Sequence, residues 1–174
     1  MLSSNSVSEV EKWSQFIEAL QKTKKIPKPF CAVDTLVREY LCQNKSTRSI
    51  LDIGCETGKN AISLVRAGHN VTLLDIAPNA IKYTLKNLQK MGLDHGVTDR
   101  ITGKIETLDS KYCPFKAVVG TYVFSHIASG VFQQVIKENV LGRIEPGGYF
   151  AGGFFGMEHD WVQKPELSIL TRRN

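Results

Sequence analysis

From Ser49 to Phe155, short apolar runs alternate with segments of helical periodicity. This alternation constrains the fold more than any other feature, because repeated strand and helix units bury their strands in a parallel sheet covered by helices. The pattern therefore predicts an α/β fold with five strands. Their predicted bounds are 49–53, 70–75, 101–106, 117–123 and 149–155.

The segments between these runs have the periodicity and the end signals of helices. Gly68 and Gly92 are suitable left-handed residues for ending two of them, and Pro78 fits a first helical turn. The predicted helices after the first strand are 59–67, 78–91 and 131–141.

Two more helices are predicted before the first strand. Ser8 and Glu11 have the spacing of a capping box, and the apolar residues that follow recur with helical periodicity. The prolines Pro27 and Pro29 end this helix, because they favour extended backbone. A second amphipathic helix follows, with Leu36 on its buried face.

Length and composition fit one domain over residues 1–174, with 42% hydrophobic and 22% charged residues. We expect residues 1–45 to form a helical lid and residues 46–174 to form a cofactor-binding α/β core. The net charge of +5 is spread along the chain, and the four cysteines form neither a metal-binding nor a disulfide pattern. No run reaches the ~18 apolar residues of a membrane span. We therefore predict a cytoplasmic protein without a membrane segment or a metal site.

The loop over residues 53–58 carries the strongest functional signal. In an open α/β sheet, ligands bind beyond the carboxyl ends of the strands beside strand 1, and this loop follows strand 1 directly. Gly54 and Gly58 permit a tight turn and a close approach of backbone to ligand. Asp75 ends strand 2, where a carboxylate can accept hydrogen bonds from two ribose hydroxyls. Together these residues predict a ribose-bearing cofactor.

Glu56 narrows the type of cofactor. The dinucleotide pattern G-x-G-x-x-G has a glycine at this position, next to a pyrophosphate that a carboxylate would repel. The sequence therefore disfavours NAD and favours a nucleoside that lacks phosphate and carries positive charge, as S-adenosylmethionine does. Two alternatives stay open: Glu56 can point away from the ligand, and an NAD-linked oxidoreductase is a weaker candidate.

Three segments resemble the class I S-adenosylmethionine-dependent methyltransferases. Residues 51–58 (LDIGCETG) resemble their first motif, residues 74–76 the acidic end of their strand 2, and residues 144–149 the turn before their strand 5. The glycine-rich segment 152–156, followed by residues 160–161 (DW) and 170–172 (LTR), looks closer still to a small bacterial branch, called tellurite-resistance-like, that acts on small molecules. The resemblance implies a Rossmann-like doubly wound sheet in the order 3-2-1-4-5, with helices on both faces.

The resemblance also implies roles for individual residues. The first loop would line the methionine part of S-adenosylmethionine, Asp75 would hold the ribose, Ile76 would pack on the adenine, and Asp52 would support the loop. The implied cofactor-binding set is Asp52, Gly54, Cys55, Glu56, Gly58, Asp75, Ile76, Ile105, Thr121 and Tyr122.

The chain also departs from the family pattern. Lys104 stands near the place where many relatives carry an aspartate that meets the adenine, and Lys116 replaces the aspartate of a Phe-Asp pair before strand 4. The chain ends where relatives begin a further helix and two more strands. We therefore expect a C-terminally truncated sheet without its last two strands, whose apolar strand 5 edge can pair in a homodimer.

The predicted activity is methyl transfer to a small-molecule nucleophile by in-line displacement. His126, just past strand 4, is the candidate general base, and the competing interpretation is a rim histidine without chemistry. Nucleic-acid bases are disfavoured as acceptors, because residues 121–124 lack the Asn/Asp-Pro-Pro-aromatic segment of base methylases. The alternative function is a catalytically silent module that binds S-adenosylmethionine or a partner, which Lys104, Lys116 and the short C-terminus motivate.

Overall fold

The computed structural model describes residues 7–23, 25–26, 28–42, 46–154 and 167–173. Six strands form one sheet in the order β3-β2-β1-β4-β5-β6. The first five strands are parallel, and the last is antiparallel to its neighbour. The strands are β1 Ser49–Ile53, β2 Asn70–Asp75, β3 Val97–Thr102, β4 Phe115–Thr121, β5 Ile144–Phe154 and β6 Leu167–Arg172. The predicted α/β class and the strand order 3-2-1-4-5 are confirmed.

Helices pack on both faces of this sheet. The α-helices are α1 Glu9–Lys22, α2 Cys31–Thr35, α3 Lys59–Arg66, α4 Pro78–Gln89 and α5 Ser129–Gln134. Helices α2 and α5 continue as the π-helical segments Leu36–Leu41 and Val135–Val140. Short 3-10 turns lie at Asp94–Gly96, Ile105–Thr107, Val123–His126 and Leu141–Arg143. Among these described helices, none is long and apolar enough to cross a membrane.

The side chains of β1 alternate between two cores, one on each face of the sheet. Ile50 belongs to the core that α1, α2, α3 and α4 cover, and Leu51 belongs to the core on the α5 side. Residues 50–53 are all buried, as expected for a parallel strand in the centre of a sheet. The register pairs Ile53 with Leu74, so the carboxyl ends of β1 and β2 lie side by side.

The predicted position of strand 3 is wrong. β3 runs from Val97 to Thr102, and residues 105–107 form a 3-10 turn instead of continuing the strand. Because β3 is an edge strand with one neighbour, half of its side chains are exposed and polar, which weakens its apolar pattern. The N–H of Gly103 makes the last bond toward β2, donating to the Asp75 carbonyl at 2.9 Å.

A sixth strand corrects the expected end of the sheet. β6 pairs with β5 from Tyr149↔Arg172 to Phe154↔Leu167. The expectation that both strands after strand 5 are absent is therefore wrong, and the β5 edge is not open. The homodimer through that edge loses its basis, because β6 already pairs with the backbone there.

The residues before β1 reach across the sheet. Helix α1 packs against α4, and α2 packs against β5 and β6. The Asn79 amide of α4 donates to the Ser14 carbonyl of α1 at 2.8 Å, and the Tyr83 hydroxyl donates to the Glu18 carboxylate. The predicted capping box is present at the start of α1. These contacts place α1 above the carboxyl end of the sheet.

Candidate functional site

A pocket of about 610 Å³ opens at the carboxyl ends of β1, β2 and β4. The strand ends and the loop after β1 form one part of its wall, and helix α1 forms another. Its wall includes Glu9, Trp13, Phe16, Ile17 and Leu20 of α1, and Gly54, Glu56, Lys59, Asp75, Ile76, Lys104, Ile105, Thr121, Tyr122, His126, Ile127 and Val131. The pocket thus brings the predicted cofactor loop and the N-terminal helix together.

The loop after β1 turns sharply enough to bring its backbone to the pocket. Gly54 and Gly58 have φ angles of 69° and 95°, which glycine adopts without steric cost. The N–H groups of Gly54 and Cys55 both donate to the Leu74 carbonyl, at 2.8 and 3.3 Å, and tie the loop to β2. A Cβ at Gly58 would lie 3.0 Å from Cγ2 of Thr84, so the loop packs closely on α4 at this point.

Asp75 is held at the pocket wall by two backbone amides. Its Oδ2 accepts a hydrogen bond from the Glu56 N–H at 3.1 Å, and its Oδ1 accepts one from the Ala77 N–H at 2.9 Å. Burial raises the pKa of this carboxyl, while the bonds from Ala77 and Glu56 act in the opposite direction. Each oxygen keeps a further lone pair with which it can accept a hydrogen bond from a ligand.

Glu56 lies on the pocket wall in the left-handed region of backbone space, with a φ angle of 50°. Its carboxylate forms an ion pair with Lys59, at 3.2 Å from Nζ. The two side chains are 21% and 13% exposed, so the pair is largely shielded from solvent. The negative charge in this loop is therefore balanced by a cation three residues further along the chain, at the start of α3.

Asp52, Cys55 and Gly58 lie behind the pocket wall rather than on it. Asp52 is fully buried, and within the described residues neither of its carboxylate oxygens has a hydrogen-bond partner. Burial raises the pKa of Asp52 to about 7, against the opposing charge of Lys59. Burial also raises the pKa of the Cys55 thiol, which argues against a role for Cys55 as a nucleophile.

The remaining predicted residues are Ile76, Ile105, Thr121, Tyr122 and His126, and all five line the pocket. The His126 ring contacts the Trp13 ring of α1, with centroids 4.6 Å apart and planes at 68°. Burial, together with the charge of Lys12, lowers the pKa of His126. The neutral imidazole that can accept a proton is therefore favoured near neutral pH.

The sequence interpretation missed two residues that directly follow Gly58. Lys59 lines the pocket, and Asn60 connects three parts of the site. The Asn60 amide donates to the Thr121 hydroxyl at 3.4 Å, and its carbonyl accepts the Phe30 N–H at 3.2 Å. A signal existed, because the first residues of a helix after a glycine-bounded loop lie on the ligand side of an open α/β sheet.

The two lysines that depart from the family pattern have structural partners. Lys104 lies on the pocket rim and forms an ion pair with Glu9 of α1 at 2.6 Å. Lys116 lies at the start of β4 and pairs with Glu145 at 3.0 Å. Lys104 therefore connects the turn after β3 to the N-terminal helix, and Lys116 lies at the end of the sheet away from the pocket.

The residues of the pocket fit the expected adenosyl cofactor. Asp75 offers two oxygens that each keep an acceptor site, as two ribose hydroxyls require. Ile76 and Ile105 offer an apolar wall of the kind that binds a flat base. Glu56 and Lys59 offer one charge of each sign, which suits an amino-acid group and not a pyrophosphate.

Comparisons with known proteins agree with this geometry. Residues 50–148 match the family model described as a methyltransferase domain. The chain is 26% identical over 143 residues to the ubiquinone biosynthesis O-methyltransferase of Xylella fastidiosa strain 9a5c, a match that covers 81% of this chain and 56% of that protein. The chain therefore spans about half the length of the curated relatives it matches.

Solved structures share the fold. The TehB-like S-adenosylmethionine-dependent methyltransferase from Corynebacterium glutamicum matches with a TM-score of 0.63 and 18% identity, over 87% of this chain and 76% of that chain. PKMT2 from Rickettsia typhi in complex with AdoHcy matches with a TM-score of 0.58 and 17% identity, over 76% of this chain and 27% of that chain.

The family match begins in β1 and ends in β5, so it includes the loop after β1, the end of β2 and the turn after β4. These elements form the strand-end part of the pocket wall, and helix α1, which forms another part, lies before the match. The sheet order, the loop geometry and this match together show that the chain belongs to the methyltransferase domain family, the class I S-adenosylmethionine-dependent methyltransferases.

Proposed function

We propose that the chain transfers a methyl group from S-adenosylmethionine to a small-molecule nucleophile by in-line displacement. The observation that carries this proposal is the buried Asp75 carboxylate, held by two backbone amides on the wall of a 610 Å³ pocket at the strand ends. When bound, S-adenosylmethionine supplies a methyl group activated on a sulfonium. The chain supplies binding, alignment and exclusion of water.

The strand ends hold the cofactor in this proposal. Asp75 accepts hydrogen bonds from the ribose hydroxyls with the lone pairs that its two amide bonds leave free. Ile76 and Ile105 pack on the adenine. Thr121 and Tyr122 border the cofactor after β4, and Asn60 holds the Thr121 hydroxyl in place.

Helix α1 and the segment after β4 shape the acceptor site in this proposal. Trp13, Phe16 and Leu20 of α1 line the pocket together with Ile127 and Val131, which gives this part of the wall an apolar and aromatic character. A small apolar acceptor would bury its surface here. The curated relatives are named O-methyltransferases, which favours a hydroxyl as the nucleophile.

His126 is proposed as the group that accepts the proton of the acceptor hydroxyl. It lines the pocket, and its lowered pKa favours the neutral imidazole that this role requires. Its contact with Trp13 links the proposed base to the helix that covers the acceptor. Because alignment contributes most of the rate in such a displacement, replacing His126 should lower the rate without preventing cofactor binding.

Titration calorimetry with S-adenosylmethionine tests the proposal. We expect the wild-type protein to bind, and Asp75→Asn to bind about 10- to 100-fold more weakly, because a hydrogen bond to a charged group contributes about 1.5–3 kcal/mol. Asp94→Asn is the matched control, since Asp94 lies in the turn before β3, at the opposite end of the sheet. It should bind as the wild type does.

The same samples are then assayed for AdoHcy release with a panel of small hydroxyl, thiol and amine acceptors. Release that depends on an acceptor supports the proposed activity. The absence of binding at millimolar S-adenosylmethionine would refute it. Binding without release from any acceptor would favour the silent module that the sequence leaves open.

A further inference from the structure

Tyr122 lines the pocket in a backbone conformation that depends on its surroundings. It begins the turn after β4 in the left-handed region, with a φ angle of 64°. This conformation costs free energy for a non-glycine residue and persists only where surrounding contacts hold it. One such contact is the hydrogen bond that the Tyr122 N–H donates to the Gly153 carbonyl of β5 at 2.8 Å. The backbone of Tyr122 is therefore attached to β5, and its ring is supported by other residues.

The ring of Phe30 supports the ring of Tyr122 from outside the pocket. Phe30 lies at the start of α2, is 7% exposed and is not part of the pocket wall. Its ring meets the Tyr122 ring edge to face, with centroids 5.5 Å apart and planes at 75°, which is a favourable geometry for two aromatic rings. The Phe30 ring also packs against β5, where a Cβ on Gly153 would lie 2.7 Å from its Cζ. Because Phe30 fills the space between β5 and Tyr122, a shift of Phe30 would allow the pocket wall to move.

Asn60 fixes the backbone of Phe30 relative to the same wall. Asn60 is 2% exposed and also lies outside the pocket wall. Its Oδ1 accepts a hydrogen bond from the Phe30 N–H at 3.2 Å, and its Nδ2 donates one to the Thr121 hydroxyl at 3.4 Å. Phe30 precedes the first turn of α2, so its N–H has no partner within that helix and depends on Asn60 for this bond. Since Thr121 directly precedes Tyr122, one rigid amide connects the start of α2 to the pocket wall.

The contacts of these four residues form a closed set. Asn60 bonds Phe30 and Thr121, Phe30 packs on Tyr122, and Tyr122 follows Thr121 in the chain. Thr121 and Tyr122 line the pocket, whereas Asn60 and Phe30 do not. The conformation of this wall therefore depends on two residues outside the pocket. Because coupling between two sites is reciprocal, an occupant that contacts the wall also stabilises the contacts behind it.

We propose that Asn60 and Phe30 are positioning residues for the adenosyl cofactor. They hold Thr121 and Tyr122 in the conformation that borders the cofactor, and the bound cofactor in turn stabilises the start of α2. The inference rests on the proposed function, because it takes that cofactor as the occupant of the pocket. The start of α2 thereby takes part in cofactor binding without lining the pocket.

Calorimetry with AdoHcy on the full chain tests the positioning role. Asn60→Leu removes both hydrogen bonds at similar volume and should weaken AdoHcy binding about tenfold. Phe30→Leu keeps the backbone N–H, removes the ring and should weaken binding about three- to tenfold. The double variant should bind within about twofold of Asn60→Leu alone, because both changes release the same wall and their effects are not additive.

Phe115→Leu is the matched control for the loss of a buried ring. Phe115 is 3% exposed and lies at the first position of β4, at the end of the strand away from the pocket. This variant should lower the thermal midpoint and leave the AdoHcy affinity within about twofold of the wild type. A loss of general stability is thereby distinguished from a loss of the wall conformation.

Amide hydrogen exchange measured by NMR tests the reciprocal effect in the wild type. Saturating AdoHcy should slow the exchange of the Phe30 N–H about tenfold or more. The Arg173 N–H, which bonds the Gly148 carbonyl at the far end of β5, is the reference and should change less. In Asn60→Leu the Phe30 N–H should exchange fast with and without AdoHcy. Should that variant fail to fold, the wild-type exchange and Phe30→Leu still decide the question.

The outcomes separate this inference from the proposed function. Non-additive losses of AdoHcy affinity together with ligand-dependent protection of the Phe30 N–H support the inference. Unchanged affinity in both single variants, additive losses in the double variant, or an equal loss in Phe115→Leu would overturn it and leave the proposed function intact. Equal protection of the Phe30 and Arg173 N–H groups would do the same. A wild-type protein that does not bind AdoHcy overturns both.

Discussion

At the residue scale, the effect of Asp52 protonation on the free energy of unfolding can be tested directly. Its carboxylate is fully buried in the strand that leads into the cofactor loop and, in the described residues, has no hydrogen-bond partner. Burial raises its pKa to about 7, compared with about 3.9 in an unfolded chain. At pH values between these two pKa values, Asp52 is therefore largely protonated in the folded protein and largely ionised in the unfolded chain.

This difference predicts how stability depends on pH. Since the folded state holds more protons than the unfolded state between pH 4 and pH 7, the contribution of Asp52 to the free energy of unfolding falls as pH rises through that window. Asp52→Asn removes the titration, so its stability relative to the wild type should rise by roughly 2–3 kcal/mol from pH 5 to pH 8. Urea denaturation at both pH values measures this change.

Asp94→Asn is again the control, because it removes a carboxylate from the turn before β3. Its stability relative to the wild type should vary less with pH than that of Asp52→Asn. Equal pH dependence of the two variants would show that Asp52 is not a buried titrating group.

Some site residues could be predicted from the sequence, and others could not. Asp75 and Gly54 follow from strand periodicity, because the end of an apolar run fixes where the backbone reaches the ligand. The ion pair of Glu56 with Lys59 could not be predicted from the sequence. The direction of a side chain in a glycine-bounded turn depends on its φ angle, which no local sequence pattern specifies. The place of Asn60 after the glycine-bounded loop was a usable signal, but its contacts could not be predicted, because its partners Phe30 and Thr121 are distant in sequence.

At the scale of elements, helix α1 is attached to the core mainly through α4. Ile17 is its buried anchor, and the Asn79 amide holds its backbone at Ser14. The Glu9–Lys104 pair is about half exposed at both ends and adds little, as surface ion pairs do. The helix is therefore expected to open more readily than the strands beneath it.

Asn79→Ala tests this attachment. The variant removes one partly buried hydrogen bond that contributes about 1 kcal/mol, and alanine does not weaken α4 itself. Amide hydrogen exchange in residues 9–22 should become about fivefold faster, with β1 and β2 unchanged. Lys82→Ala, on the exposed face of the same helix, should leave the exchange of α1 as it is. Unchanged exchange of α1 in Asn79→Ala would contradict this assignment.

Elements were predicted well where burial is strong and poorly at the margins of the sheet. The bounds of β1 and β2 agree with the prediction, because these strands are buried on both faces. β3 was misplaced because an edge strand carries polar residues that resemble a loop. β6 was missed because it forms a strand through backbone pairing with β5, and its sequence carries too little hydrophobic pattern to predict one.

At the scale of the whole molecule, β6 is the outer strand on the β5 side of the described sheet. It covers the edge of β5 over residues 149–154, and the Arg173 N–H extends the pairing to the Gly148 carbonyl at 2.8 Å. An uncovered apolar edge is a template for association with a second chain. The antiparallel pairing of β6 is therefore expected to increase the stability of the fold and to reduce self-association.

A chain shortened to end at residue 166 tests this role. We expect it to lose about 1 kcal/mol for each backbone hydrogen bond removed and to form oligomers through the exposed β5. Urea midpoints and sedimentation velocity measure the two effects. A chain that ends at Arg173 keeps every described pair and serves as the control. A monomeric 166-residue chain of unchanged stability would show that β6 does not protect the sheet.

The path of the residues before β1 has one more consequence. Because α1 packs on α4 while α2 packs on β5 and β6, this stretch of chain contacts two opposite sides of the molecule, and its first helix lines the pocket. The access of a ligand to the pocket and the packing of β5 and β6 therefore both depend on the residues before β1. A chain shortened past α2 would lose part of the pocket wall and the support of β5 and β6 together, whereas removal of α1 alone would affect only the pocket side.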